Sequence, residues 1–228
     1  MITTGLPSSF PVTNTTEVVD VVNGEICADL AEFPVTNEGA LGANLDGTPV
    51  VCGPYNQKCY KFKNGRWKKF ASMKDKRESA AGIVYKKKFY VFGGRVGSNS
   101  LQTSEIISVN GGVEDGPELP ESVFIHAITS GINSTVSILS GGRTSTVVYS
   151  PLTWFFNHET QAFSSGPSLL EGRYAHGSAT IVDKVTKAKI PMVTGGESNA
   201  GELDSTELLI NGMWQSGTIQ CPKMATMF

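Results

Sequence analysis

Three stretches of the chain end alike: Tyr90-Val91-Phe92-Gly93-Gly94, Ser137-Ile138-Leu139-Ser140-Gly141-Gly142 and Pro191-Met192-Val193-Thr194-Gly195-Gly196. In each, a short apolar run stops at a diglycine, which reads as a strand closed by a turn. A degenerate copy, Pro49-Val50-Val51-Cys52-Gly53, is followed by Pro54 instead of a second glycine. Counted from Gly53 to Gly94, Gly142 and Gly196, the copies are 41, 48 and 54 residues apart. That drift is too large for a rigid solenoid and suits repeated units whose exposed loops vary in length.

Working outward, each such strand follows a segment of small residues: Glu38-Gly39-Ala40-Leu41-Gly42-Ala43, Ser79-Ala80-Ala81-Gly82-Ile83, His126-Ala127-Ile128-Thr129-Ser130 and His176-Gly177-Ser178-Ala179-Thr180. Small side chains suit strands that crowd together near a common axis. After the diglycine comes a third strand, Thr103-Ser104-Glu105-Ile106-Ile107 or Ser205-Thr206-Glu207-Leu208-Leu209, and Thr15-Thr16-Glu17-Val18-Val19 matches both. A fourth strand is marked by Trp67, Val113, Phe163 and Trp214. Loops then repeat as Asp115-Gly116-Pro117-Glu118-Leu119-Pro120 and Ser165-Gly166-Pro167-Ser168-Leu169. No segment reads as a helix. Regularly spaced short strands with turn signals indicate an all-β sandwich, barrel or propeller, and the long repeat selects the propeller.

This four-part unit resembles the kelch repeat, and the likeness runs over essentially the whole chain. The first full unit departs from the pattern at Cys52-Gly53-Pro54, and the second and third carry Val113 and Phe163 where a late tryptophan is expected. The resemblance implies a single kelch-type β-propeller domain with blades at about 36–70, 77–117, 122–166 and 173–219, preceded by a half blade at 15–31. Nothing after Met224 reads as the missing strands of that half blade, so an open or truncated ring is expected. By the same resemblance the chain is a non-catalytic module that binds a protein, a peptide (acidic ones included) or a glycan. An alternative is the substrate-recognition part of a ubiquitin-ligase adaptor without its helical domains. A third is an enzyme like galactose oxidase, whose central domain is a kelch-like propeller and whose copper is held by histidines and tyrosines.

Composition bounds these readings. Glycine is 25 of 228 residues, above the usual ~7 %, as many tight turns require. A formal net charge of -2 argues against a nucleic-acid partner, which calls for a basic excess. Met1-Ile2-Thr3-Thr4-Gly5 has neither the basic start nor the apolar run of a secretion signal. No apolar stretch approaches the ~18 residues of a membrane span. Asn14-Thr15-Thr16 and Asn133-Ser134-Thr135 are glycosylation sequons.

Cys52 closes a second strand and Cys59 opens the third beside it, so antiparallel pairing brings them within disulfide range, the other reading being two buried thiols. Cys27 and Cys221 fall in fourth-strand regions of different repeats and are left unpaired by the sequence. The resemblance leans the cysteines toward an extracellular, oxidising setting, with the cytoplasm as the alternative.

In a four-stranded meander, the segments before strand one and after strand two emerge at one end. Arg77 and Arg173 precede first strands, and Arg95 and Arg143 follow diglycines. Four of the five arginines, all but Arg66, therefore share an end. There they can fork onto carboxylates of a ligand, or pair with Asp75, Glu78, Glu171, Glu197 and Glu202 at the same end. The opposite end collects Lys86-Lys87-Lys88, Lys184, Lys187 and Lys189, which read as solvated charge runs, with an acidic partner or a membrane surface as the functional reading. His126 and His176 begin equivalent strands, which a repeated structural position explains. No spacing argues for a metal or a cofactor.

Overall fold

The computed structural model describes residues 14–217 apart from 20, 21, 25, 28, 29, 37, 38, 54, 55, 145 and 147. Among them every regular element is a strand and every sheet pairing is antiparallel. β1 (Val18–Val19) and β2 (Ile26–Cys27) form a two-stranded sheet inside the expected half blade. The expectation that no C-terminal strand joins them falls on residues 218–228, outside the described residues, as does Cys221.

Four four-stranded meanders follow. The first sheet comprises β3 (Leu41–Leu45), β4 (Thr48–Cys52), β5 (Lys58–Lys63) and β6 (Arg66–Ser72). The second comprises β7 (Ala81–Tyr85) and β8 (Lys88–Phe92), then a small hairpin of β9 (Arg95–Val96) and β10 (Asn99–Ser100), then β11 (Ser104–Ser108) and β12 (Val113–Asp115). The third comprises β13 (Ala127–Ser130), β14 (Val136–Ser140), β15 (Thr153–Asn157) and β16 (Ala162–Ser165). The fourth comprises β17 (Gly177–Val182) and β18 (Lys189–Thr194), a hairpin of β19 (Glu197–Ser198) and β20 (Gly201–Glu202), then β21 (Thr206–Ile210) and β22 (Met213–Ser216).

Local chemistry sets the hairpins. Asp46-Gly47, Asn64-Gly65 and Asn211-Gly212 turn with positive φ at both residues, 52° and 76°, 54° and 72°, 52° and 77°. Two-residue hairpin turns of this primed kind match the strand twist and favour Asn-Gly or Asp-Gly. Lys86-Lys87 makes the same turn, with φ of 43° and 62°, at a cost in strain that glycine would avoid.

The sheets stack face to face, so inner strands such as β8 and β14 are buried on both sides. Phe89, Val91 and Ile107 pack toward the first sheet with Val50, Cys52 and Cys59. Their alternates Tyr90, Phe92 and Ile106 pack toward the third sheet with Leu139 and Phe156. Ile138, on the other face of the third sheet, meets Val193, Leu209 and Trp214 of the fourth. Phe33 covers the outer face of the first sheet against Val51, Tyr60 and Trp67, and the Trp67 indole donates to Thr16 Oγ1 at 2.9 Å. Successive side chains on a strand point to opposite faces, which is why adjacent residues such as Tyr90, Val91 and Phe92, or Ile138 and Leu139, are apolar together.

The small-residue strands are edge strands of their sheets and lie side by side: β3 packs on β7, β7 on β13, and β13 on β17. No closed ring is formed among the described residues. Backbone hydrogen bonds lash the segments leading into these strands together, Ser79 N to Gly39 O at 3.3 Å, Ile125 N to Ser79 O at 2.9 Å and Ala175 N to Ile125 O at 3.2 Å. The diglycines belong to the same seam. Gly94 N donates to Val123 O at 2.9 Å and Gly142 N to Arg173 O at 2.8 Å. A Cβ on Gly93 or Gly141 would collide with the carbonyl of Val123 or Arg173 respectively, so the lead-in of the next sheet crosses ground that only glycine leaves open.

Cys52 and Cys59 are bonded, with an S–S distance of 2.03 Å. They face each other across β4 and β5 with Cα atoms 3.9 Å apart, and both are buried in the core between the first two sheets.

Candidate binding face

All four arginines named from the sequence lie at the end where lead-ins and diglycines meet, but they divide into two kinds. Arg77 and Arg173 are 2 % and 1 % exposed. Arg77 Nε donates to Glu105 Oε1 at 2.9 Å, and its Nη1 reaches the carbonyls of Gly93 and Thr103 at 2.9 and 2.8 Å. Arg173 repeats the arrangement, with Nη2 on Glu207 Oε1 at 2.7 Å and Nη1 on Gly195 O at 2.9 Å. Each glutamate also accepts backbone N–H groups, Lys74 on Glu105 at 2.7 Å and Leu170 on Glu207 at 2.7 Å. The expectation that Arg77 and Arg173 grip a ligand is corrected on this geometry. Their donors are spent inside the fold, tying the lead-in of a sheet to its own third strand and diglycine.

For Arg77 and Arg173 the main partners lie beyond the acids named from the sequence. Of the five acids named from the sequence, Asp75 touches Arg77 only at 3.4 Å, and the strong partners come from β11 and β21. Strand register shows the logic. Ser104, Thr153 and Thr206 all pair with the residue before a diglycine, so Glu105, Trp154 and Glu207 are equivalent positions. In the third sheet the glutamate is Trp154 and the lead-in arginine is Val123, and the two pack in one apolar cluster. Arginine and glutamate are thus replaced together, as a buried pair requires.

Arg95 and Arg143 occupy a different environment. Three isolated bridges, Glu78 with Arg95, Phe124 with Arg143 and Tyr174 with Glu197, join each lead-in to the residue after its diglycine. Their side chains run as a ladder across three sheets. Arg95 pairs with Glu78, and its guanidinium carbon lies 5.1 Å from the Phe124 ring centre. Arg143 lies 5.7 Å from Phe124 and 5.3 Å from Tyr174. Tyr174 stacks on Tyr149 at 5.5 Å and donates to Glu197 Oε2 at 2.6 Å. Burial, reinforced by that bond to Glu197, pushes the Tyr174 hydroxyl up to about 12, so it stays protonated and donating.

The rungs differ in how their charges are met. Glu78 compensates Arg95, and Glu197 is engaged by the Tyr174 and Tyr149 hydroxyls. Among the described residues no carboxylate lies within ion-pair distance of Arg143, and its buried Nε has no acceptor. Aromatic rings flank the guanidinium by cation–π contact, while its N–H edge, the part that forks onto a carboxylate, faces none among the described residues. Sequence reasoning named Arg143 but missed Phe124 and Tyr174, although both sit at the third position before a first strand.

The histidines are core residues. Burial lowers His126 to about 4 and His176 to about 3, the latter with help from Arg173 and His126. His176 Nε2 lies 3.0 Å from Ser140 Oγ. His158, also lowered to about 4 by burial, stacks on Tyr85 at 4.3 Å. Among the described residues no group of three His, Cys, Asp or Glu is placed to hold a metal ion, and no helix is long and apolar enough to cross a membrane. At the opposite end, Lys86, Lys87 and Lys88 pair with Glu159, Asp46 and Glu114 at 3.2, 3.2 and 2.7 Å. Of the sequons, Asn14 donates to Glu32 Oε2 at 2.9 Å, and the exposed Asn133 accepts from Thr135 N at 3.1 Å.

No family model and no curated protein matches the chain. Among solved structures it is similar to YjhT, with a TM-score of 0.66 and 18 % identity over 87 % of this chain and 69 % of that one. At that identity the likeness is one of fold, and it places the stacked antiparallel sheets described above in an architecture already seen in another protein.

Proposed function

We propose that the chain is a non-catalytic interaction module, a kelch-type β-propeller of four near-complete blades and an N-terminal half blade, which binds an anionic protein or glycan partner across the Arg95–Arg143 ladder. The observation that carries this reading is Arg143, a cation flanked by two aromatic rings with no carboxylate of its own. Leaving such a charge partly desolvated and unpaired costs folding free energy. A ligand that supplies the missing anion recovers it. The neighbouring rings add flat apolar area at low conformational cost, as in binding surfaces generally. The bonded Cys52–Cys59 pair supports an oxidising setting for this module.

The test is capture on a peptide array graded in Asp and Glu content and on an array of neutral and acidic glycans, with Arg143→Ala and Arg95→Ala beside the parent protein. Selective capture of acidic members, lost in Arg143→Ala at unchanged melting temperature, is the expected result. Equal capture by Arg143→Ala and the parent, or capture indifferent to ligand charge, overturns the reading.

A further inference from the structure

The two lysine clusters at the opposite end have different fates. Each of Lys86, Lys87 and Lys88 has a carboxylate partner. Lys184, Lys187 and Lys189 are exposed and have none among the described residues. The acid beside them, Asp183, caps its own turn rather than pairing with a lysine: its Oδ1 accepts from Val185 N at 2.9 Å, Thr186 N at 2.6 Å and Thr186 Oγ1 at 2.9 Å. Lys187 Nζ donates to the Lys184 carbonyl at 2.9 Å, which satisfies a hydrogen bond but leaves the charge uncompensated. This hairpin is therefore a built turn with an unneutralised cationic rim.

Apolar side chains stand among those cations. Val185, at the turn, is 89 % exposed, and Val182 at the end of β17 is 55 % exposed. The neighbouring β13–β14 hairpin adds Ile132, 60 % exposed. The two hairpins share an end because β13 packs on β17, with Ser130 Oγ donating to Thr180 Oγ1 at 3.1 Å and Thr180 Oγ1 to the Ser130 carbonyl. Ile132 and Val182 each lie two residues beyond that contact. Scattered single apolar residues at a surface need no explanation. Three exposed branched aliphatics on two adjacent hairpins, one of which carries three lysines without carboxylate partners among the described residues, are a different matter.

From this juxtaposition we infer that the paired tips form a docking surface for an anionic lipid bilayer. An acidic protein would match the lysines but would leave the exposed aliphatic tips without a reason. A single-stranded nucleic acid would call for aromatic platforms, and these tips carry none. A bilayer interface accepts both features at once, the aliphatic side chains entering the headgroup boundary while lysines stay at the level of the lipid charge. Each lysine near such a surface contributes about fivefold in affinity, so three amount to roughly a hundredfold.

The test is co-sedimentation of the full chain carrying Asn133→Gln, so that a glycan cannot occupy the Ile132 hairpin, with phosphatidylcholine vesicles with and without about 30 mol % phosphatidylserine. Binding to the anionic vesicles alone is expected, weakened roughly a hundredfold by K184S/K187S/K189S and severalfold by Val185→Ser. A tryptophan probe, Val185→Trp, is expected to shift its emission to the blue on binding. No binding to anionic vesicles, equal binding to both vesicles, or an unshifted tryptophan on bound protein overturns the inference. So does capture of soluble polyglutamate as tight as capture of vesicles, which would assign the lysines to an acidic macromolecule.

Discussion

Arg77 and Arg173 share an end of the molecule with Arg95 and Arg143 and do opposite work. The first pair is sealed against Glu105 and Glu207 with its donors satisfied by protein. The second lies flat against aromatic rings with its edges partly open. A guanidinium is only as available as its surroundings leave it, and what separates the two pairs is whether the facing third strand offers a carboxylate. An arginine preceding a first strand meets one from β11 or β21. An arginine following a diglycine meets the lead-in of the next sheet, where Phe124 and Tyr174 stand.

The largest expected effect of a single replacement comes from breaking the sealed pair. Arg173→Ala leaves Glu207 buried and uncompensated and is expected to cost about 3–5 kcal/mol in denaturant unfolding. The double replacement Arg173→Val with Glu207→Trp copies the Val123 and Trp154 of the third sheet and is expected to cost much less than the single. A double variant as unstable as the single would show that the third-sheet solution does not transfer.

Acid is expected to act on the buried histidines at both ends of the sheets. His126 and His158 stay neutral down to about pH 4 and His176 to about pH 3, whereas the unfolded chain protonates its histidines near 6.5. Folded values lie below unfolded ones, so stability is full above about pH 6.5 and falls as pH drops toward 4, by on the order of 1 kcal/mol per pH unit for each histidine. Denaturant titrations at stepped pH measure the slope. A flat profile between pH 7 and 4 would contradict burial of the neutral rings.

The smallest stability change is expected at the open pair. Arg143→Ala removes an uncompensated cation and is expected to shift unfolding by less than about 1 kcal/mol while weakening an acidic partner by tenfold or more. Arg143→Lys keeps the charge but loses the planar fork and is expected to fall between the two. If Arg143→Ala unfolds as readily as Arg173→Ala, the distinction between the two pairs collapses.

Much of this molecule is written locally. Asp46-Gly47, Asn64-Gly65 and Asn211-Gly212 name their turns, because positive φ at two successive residues admits few side chains. The runs before the diglycines name strands apolar on both faces. Cys52 and Cys59 name their bond, because adjacent antiparallel strands bring them opposite each other. Even the shared end of the four arginines follows from counting strands. Each of these depends on residues within one hairpin or one meander.

What tertiary structure decided is everything that depends on another sheet or on a distant strand. The diglycines mark repeats in the sequence, but their necessity comes from the Val123 and Arg173 carbonyls that the next lead-in lays across Gly93 and Gly141. The fate of Arg77 rests on Glu105, 28 positions away, and that of Arg173 on Glu207, 34 positions away. The ladder draws Arg95, Phe124, Arg143 and Tyr174 from two lead-ins and two diglycine loops. Burial and charge compensation are sums over all spatial neighbours, and loops of variable length separate those neighbours along the chain. Residue spacing therefore places an arginine at an end of the fold, and only the packed sheets determine whether it meets a carboxylate, a ring or water.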